Sequence, residues 1–142
     1  MKDKIFLDTN ILIYSFDFSN PTKQKIAKEL INSLCGNSID YLISTQVVSE
    51  FCSVVIKKFK EILSENDLKR FVSSLPQEQI AFIDQSTIIK SLHIKYKYGF
   101  SYWDSMIIVT AIQSGCDVLY SEDLSDGQVI ENLRIVNPFK NL

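Results

Sequence analysis

Short apolar segments alternate with amphipathic helical segments along this 142-residue sequence, and this alternation restricts its fold more than any other feature. The predicted strands are 4–7, 41–44, 80–83, 118–120 and 133–136, and the predicted helices are 11–16, 22–35, 46–59, 65–75, 86–97 and 101–114. Strands separated by helices favour parallel pairing, because each crossover returns the chain to the same end of the sheet. The pattern predicts the α/β class: a three-layer α/β/α sandwich with a mostly parallel central sheet, formed by residues 1–142 as one domain.

Four acidic side chains fall where such a sheet would bring them together. Asp8 follows the first strand and Asp123 follows the fourth, so both are expected at the carboxyl edge, where open parallel sheets bind ligands. Glu50 flanks the apolar stripe of the third predicted helix, and Asp104 lies within the stripe of the segment FSYWDSMIIVTAI. Clustered carboxylates repel each other unless a cation lies between them, and Mg²⁺ or Mn²⁺ accepts oxygen ligands of this kind. We therefore predict a catalytic metal site at these four acids.

Each acid also has a purely structural interpretation when it is taken alone. Asp8 could cap a helix or form a turn, and Asp104 could complete a capping box with Ser101. Glu50 could pair with Lys57 or Lys58. Asp123 and Asp126 could simply solvate a polar loop. The metal hypothesis is preferred because one shared cation accounts for all four acids together.

Composition narrows the range of functions. The net charge is −2, so no global basic field indicates nucleic-acid binding. The three cysteines, Cys35, Cys52 and Cys116, form no C-x-x-C pair, and no apolar run of about 18 residues could span a bilayer. The prediction is a cytoplasmic protein without a membrane segment. Its only histidine, His93, has no partner at metal-ligand spacing, which argues against histidine-based catalysis.

Lysines and tyrosines alternate shortly before Asp104. Lys95 and Lys97 interleave with Tyr96 and Tyr98, and cations combined with aromatic rings suit the backbone and bases of unpaired RNA. Lys95 and Lys97 are therefore candidate RNA contacts. An ordinary solvated helix face is the alternative interpretation.

The acids lie in motifs that resemble a known family. These are IFLDTN at 5–10, SEF at 49–51, YWDS at 102–105 and LYSED at 119–123. In this order they resemble the PIN-domain nucleases, and among them the VapC-type toxins of toxin–antitoxin pairs. The likeness extends over nearly the whole chain, including the tail that follows Asp123.

The resemblance implies specific roles. Asp8, Glu50 and Asp104 match the family's metal-binding acids, Asp123 matches its fourth acid, and Asn10 matches a polar position beside the first. The family's further acid would fall at Ser125, whereas this chain carries Asp126 one residue later, so Asp126 is at most a supporting residue. The resemblance also implies an endoribonuclease that uses water activated by Mg²⁺ or Mn²⁺. RNA would be its substrate, a small antitoxin its partner and a homodimer its assembly.

Two other functional classes compete with the nuclease hypothesis. The first is phosphoryl transfer through an aspartyl phosphate on Asp8. Dehalogenase-like phosphatases need a second Asp where this chain has Asn10, and a receiver-like acceptor at Asp84 would leave Glu50 and Asp104 unexplained. The second is a non-catalytic interaction domain in which a metal held by the acids only stabilises the fold.

Overall fold

A computed structural model describes residues 3–36 and 40–140 of the chain. The strands are β1 (Ile5–Leu7), β2 (Tyr41–Ser44), β3 (Ile80–Ala81), β4 (Val118–Tyr120), β5 (Val129–Ile130) and β6 (Leu133–Val136). The helices are α1 (Thr9–Tyr14), α2 (Pro21–Cys35), α3 (Thr45–Lys58), α4 (Glu65–Ser74), α5 (Gln85–Tyr98) and α6 (Tyr102–Gln113), with a 3₁₀ turn at Gln77–Gln79. The predicted α/β class is confirmed, and each predicted element is present with its ends within two residues of the prediction.

The strand order defines where a ligand crevice can open. The strands lie in the order β3-β2-β1-β4-β6-β5, and all pairs are parallel except β5 with β6. The chain moves outward from β1 to β3 and then returns to place β4 on the other side of β1. Because such crossovers are right-handed, this reversal places α5 and α6 on the face opposite the earlier helices. The carboxyl ends of β1 and β4 form the switch point at which open sheets bind ligands.

The core is built from the apolar faces that the sequence predicts. Val47, Phe51 and Val55 recur every four residues along α3 and are all buried. The Phe51 ring packs against the rings of Phe16 and Phe71 at centroid distances of 5.5 and 5.1 Å. This packing fixes the orientation of α3 and therefore the direction in which its polar residues point.

Two predicted ends shift for local reasons. The helix predicted at 11–16 begins two residues earlier, because the side chain of Asp8 caps it directly after β1. The strand predicted at 80–83 ends at Ala81. Its partner β2 stops at Ser44, whose hydroxyl accepts a hydrogen bond from Val47 N and starts α3. A third strand residue would therefore have no neighbour with which to pair.

The antiparallel strand β5 was not predicted. It contains only two residues and pairs with the start of β6 across a tight turn, in which Glu131 has a φ of 54°. Two residues carry no detectable alternation, and glutamate is not a typical residue at positive φ. The sequence therefore shows only a polar loop before β6.

None of the helices formed by residues 3–36 and 40–140 combines the length and the apolar composition that crossing a membrane requires.

Candidate active site

Asp8 lies at the junction of β1 and α1 and is only 5% exposed. Its Oδ1 accepts a hydrogen bond from Thr9 N at 2.6 Å, and its Oδ2 accepts one from the Ser121 hydroxyl at 2.7 Å. Asp8 N donates to the carbonyl of Tyr120 at 3.0 Å, which joins the ends of β1 and β4. The helix-capping interpretation of Asp8 is therefore correct, and the same contacts fix its carboxylate at the switch point.

Glu50 projects from α3 toward the same point. Its Oε2 accepts a hydrogen bond from the Thr9 hydroxyl and its Oε1 accepts one from Gln46 Nε2, each at 2.8 Å. Lys57 and Lys58 lie in the last turn of α3, two turns further along, and make no ion pair with it. Neutral donors, rather than a lysine, hold Glu50 in place.

Asp104 occupies the first turn of α6. The Ser101 hydroxyl caps this helix by accepting a hydrogen bond from Asp104 N at 3.1 Å. The capping interpretation is thus partly correct, but it is the backbone of Asp104 that takes part. No hydrogen bond returns from Ser101 N to the Asp104 carboxylate, as it would in a capping box.

The loop after β4 presents its first two acids differently. Asp123 is exposed and its Oδ2 accepts a hydrogen bond from Asn10 Nδ2 at 3.1 Å. Glu122 instead accepts hydrogen bonds from the Tyr14 hydroxyl and from Lys23. Partial burial acts to raise the pKa of Glu122, but these two hydrogen bonds lower it overall. Glu122 therefore anchors the loop to α1 and α2, while Asp123 faces the end of β1.

The four acids line one cavity of 340 Å³. Its lining residues are Asp8, Thr9, Asn10, Ile13, Glu50, Ser53, Val54, Asp104, Ile107 and Asp123. None of them is a lysine, an arginine or a histidine, and none of the four acids forms an ion pair with any residue that the structure describes. Their charges consequently have no positive partner within the described protein.

The acids influence each other's ionisation. Burial, together with the charges of Asp104 and Glu50, raises the pKa of Asp8 to about 6, although hydrogen bonds from Ser121 and Thr9 act to lower it. Burial and the charges of Asp123 and Glu50 also raise the pKa of Asp104, although the nearby Ser101 hydroxyl acts to lower it. The cavity is therefore a site of mutual repulsion in which ionisation is costly.

Two features bear on whether this cavity can hold a cation. Within residues 3–36 and 40–140, no group of three or more acidic, histidine or cysteine side chains is disposed to hold a metal ion as a set. Asn10, however, lines the cavity and has a buried carbonyl oxygen, Oδ1, without any hydrogen-bond partner. An unpartnered buried acceptor is costly unless a water or an ion completes it.

The other candidate residues lie outside the cavity. The Asp126 carboxylate accepts hydrogen bonds from Asn137 N at 2.8 Å and from Lys140 Nζ at 2.9 Å, so it is directed toward the C-terminal segment. Lys95 and Lys97 occupy the last turn of α5, and Lys97 Nζ lies 5.3 Å from the ring centre of Tyr98. None of the three lines the acidic cavity.

Sequence reasoning missed three polar residues at this site. Thr9 and Gln46 position Glu50, and Ser121 positions Asp8. Ser121 could have been suspected because it directly follows β4, and Thr9 because it lies next to Asp8 after β1. Gln46 lies one helical turn before Glu50, so its hydrogen bond also has a signal in the sequence.

The geometry agrees with a comparison to protein families. The family model described as the PIN domain matches residues 5–125, which include all four cavity acids. The chain belongs to the PIN-domain family. A comparison with curated protein sequences finds no match.

Solved structures share the fold of this PIN domain. A toxin–antitoxin complex from Klebsiella pneumoniae has a TM-score of 0.67 and 23% identity, covering 95% of this chain and 98% of that one. A VapBC complex from Rickettsia felis, bound to a DNA fragment of its promoter, has a TM-score of 0.64 and 20% identity, with coverages of 92% and 96%. A sarcin–ricin-loop-cleaving VapC toxin of Mycobacterium tuberculosis has a TM-score of 0.63 and 14% identity, with coverages of 84% and 89%. At these identities the likeness establishes the fold alone.

Proposed function

We propose that this PIN domain is a metal-dependent endoribonuclease and the toxin of a toxin–antitoxin pair. One observation carries the proposal: carboxylates from four separate elements line one cavity that contains no positive side chain. A fold gains no stability from such an arrangement, because burial and repulsion raise the pKa of two of the acids. Sites that sacrifice stability in this way are typically functional.

The donor set fits a hard divalent cation. The candidate ligands are the carboxylate oxygens of the cavity, and Mg²⁺ or Mn²⁺ prefers oxygen. Mg²⁺ keeps several waters and needs only one or two protein carboxylates, which agrees with the lack of a ready three-ligand group among the described residues. When bound, such an ion neutralises charge on a phosphodiester and lowers the pKa of water. Asp8, Glu50, Asp104 and Asp123 are the residues that we propose to hold it.

The side chains around the acids supply orientation. Asn10 donates to Asp123 through Nδ2 and so helps to hold this carboxylate at the cavity, and the resemblance to the family suggests that it orients a water there. Thr9 and Gln46 donate to opposite oxygens of Glu50, and Ser121 holds Asp8. The carboxylates therefore need little rearrangement before a substrate binds.

RNA is the proposed substrate because the chain belongs to the PIN-domain family and shares its fold with an RNA-cleaving toxin. Lys95 and Lys97 stay candidates for contacts to the RNA backbone outside the cavity. They belong to the turn of α5 that precedes Ser101, the cap residue of α6, and Asp104 follows in the first turn of that helix.

The aspartyl-phosphate alternative has less support. Both oxygens of Asp8 already accept hydrogen bonds, and the residue is almost fully buried. Asp84, the receiver-like candidate, is committed to capping α5 through Thr87 and Ser86. A non-catalytic domain would need the acids for metal binding alone, so the cleavage assay described next distinguishes it from a nuclease.

Two aspartates of one loop provide a matched test of the proposal. With Mg²⁺ or Mn²⁺ present, we expect the wild type to cleave total cellular RNA and Asp123→Asn to cleave it roughly 10-fold to 100-fold more slowly. We expect Asp126→Asn to keep its activity within about twofold, because Asp126 accepts hydrogen bonds from Asn137 N and Lys140 Nζ of the C-terminal segment and does not line the cavity. Initial rates on a labelled RNA provide the measurement. Equal losses in both variants, or cleavage that persists in EDTA, would contradict the assignment.

A small antitoxin is the proposed partner, supported by the toxin–antitoxin complexes that share this fold. An acidic cavity without a counter-charge would accept an arginine side chain, whose guanidinium binds carboxylates in a bidentate manner. We expect co-expression with the neighbouring gene of the operon to give an inactive complex that regains RNA cleavage when the antitoxin is removed. The resemblance to VapC toxins also implies a homodimer, which the solution mass of the purified complex tests. A complex that cleaves RNA at the full rate would refute inhibition by occupation of the cavity.

A further inference from the structure

A second groove borders the acidic cavity and shares Glu50 and Ser53 with it. We call it the aromatic groove. Its volume of 680 Å³ lies within the range of sites that hold small ligands. The two cavities therefore adjoin at these residues, so a ligand of sufficient length could contact both.

The groove combines hydroxyl groups with a flat aromatic surface. Thr45, Ser49 and Ser53 recur every four residues along α3, so their hydroxyls align on one side of that helix. Trp103, together with aliphatic side chains from α5 and α6, provides the apolar part of the lining. A nucleobase has matching chemistry, with an apolar π-face and a polar edge.

Trp103 is the residue of the groove that most strongly indicates a bound ligand. It directly precedes Asp104 in α6, yet 59% of its surface is exposed. Its ring meets that of Tyr102 edge-on at 5.3 Å, which leaves a face of the indole open. An exposed large aromatic residue at the rim of a ligand cavity is typical of a stacking platform.

Gln46 connects Trp103 to the acidic cavity through hydrogen bonds. Its Nε2 donates both to the Trp103 carbonyl at 3.0 Å and to Glu50 Oε1 at 2.8 Å. One side chain thus holds the start of α6 at a set distance from a cavity carboxylate. A ligand that contacts both the acidic cavity and Trp103 would therefore find them at a fixed distance from each other.

We propose that the aromatic groove binds an unpaired nucleobase next to the phosphate at the acidic cavity, with Trp103 as the stacking surface. The inference rests on the proposed nuclease function and makes it more specific: the substrate must present an unstacked base at the cleavage position. Duplex RNA keeps its bases stacked and would not fit, whereas a loop or a single strand would.

The sequence offers a direct reporter, since Trp103 is its only tryptophan. A short single-stranded oligoribonucleotide is titrated into wild-type protein in EDTA and into Asp123→Asn with Mg²⁺. We expect saturable quenching of tryptophan emission in parallel with binding measured by anisotropy of the labelled RNA. A series of otherwise identical strands, each lacking the base at one position, is then titrated. The strand that lacks the base bound in the groove should give much less quenching than the others.

Variants separate stacking from a loss of structure. Trp103→Leu should weaken RNA binding by about 5-fold to 150-fold, as expected for one lost base–aromatic stack, and Trp103→Phe should restore most of it. Phe18→Leu is the matched control. Phe18 is 63% exposed and lies outside both cavities, with Lys28 Nζ 5.8 Å from its ring centre. Its binding should equal that of the wild type, and melting curves should show all three variants folded.

The outcomes distinguish this inference from the nuclease proposal. Normal RNA cleavage without quenching, and with full activity in Trp103→Leu, would overturn the base site and leave the nuclease intact. Quenching without any cleavage would support the base site and reject the nuclease. Emission that depends on protein concentration without RNA, together with a dimer that Trp103→Leu dissociates, would make the groove a contact between copies and overturn the inference.

Discussion

Replacing Asp104 by asparagine is expected to reduce RNA cleavage by more than about 100-fold without destabilising the metal-free protein. Removing a residue that only supports a metal ligand typically lowers activity by about 10-fold to 100-fold. The loss for Asp104→Asn should reach at least the upper end of this range, because Asp104 is proposed to touch the ion or its waters. Stability should hold, because the cap of α6 uses Asp104 N, which the substitution retains. The lost interaction with the helix N-terminus is worth about 0.3–1 kcal/mol. Burial and the charges of Asp123 and Glu50 raise the pKa of Asp104, so they oppose its negative charge. Removing this charge therefore stabilises the protein and acts against that loss.

Asp67 offers a matched control at the equivalent helix position. It lies three residues after its cap residue Ser64, as Asp104 lies three after Ser101, but it forms a full capping box and bonds to Arg70. Hydrogen bonds from Ser64 and Arg70 lower the pKa of Asp67, so its charge is stabilised there. We expect Asp67→Asn to melt earlier than the wild type and to cleave RNA normally. Denaturation in EDTA and a cleavage time course measure both variants, and an Asp104→Asn protein that is unstable but active would identify Asp104 as a helix cap only.

The contrast between these two aspartates shows what a sequence can and cannot establish. The sequence places both near the start of a helix, three residues after a serine, and a capping role is reasonable for each. The apolar stripe around Asp104 is the only local signal that separates them. The deciding facts are the charges that approach Asp104 from α3 and from the loop after β4, and these depend on packing between distant segments.

The sequence predicts the relative position of two cavity acids where strand topology alone determines it. Asp8 and Asp123 follow strands that flank the switch point, so knowing that the sheet is parallel is enough to bring their backbones together. The sequence does not predict which of several nearby groups a polar side chain will contact. Asp126 lies three residues beyond Asp123, yet a hydrogen bond to Asn137 and an ion pair with Lys140 turn it away.

The fold shows the same division. Helix ends are predictable because the capping residues lie next to them, as with Ser64 before α4 and Gly99, with a φ of 82°, after α5. The end of β3 and the presence of β5 are not predictable, because each strand contains two residues and ends where its partner ends. Their lengths are determined by neighbouring strands rather than by their own residues.

Asp8→Asn is expected to make the metal-free protein more stable at neutral pH by up to about 3 kcal/mol, the equivalent of raising the pKa of a carboxyl from 3.8 to about 6. Asparagine is a good helix cap and can still accept the hydrogen bond from Thr9 N, while the Ser121 hydroxyl can accept from the new amide. The gain therefore comes from removing a buried charge, and RNA cleavage should be lost with it.

The difference in stability between the wild type and Asp8→Asn should depend on pH. Between about pH 4 and 6 the native wild type binds more protons at Asp8 than the unfolded chain does, so its stability should fall as the pH rises. Asp8→Asn lacks this slope, and the two proteins should therefore be nearly equal near pH 4 and differ fully above pH 7. Mn²⁺ at pH 7 should raise the melting temperature of the wild type, because it binds the native state, and should raise that of Asp8→Asn much less. Chemical denaturation across this pH range, with and without Mn²⁺, is the measurement. A variant that is less stable than the wild type at every pH would mean that the Asp8 carboxylate holds β1 and β4 together, and that its negative charge does not destabilise the cavity.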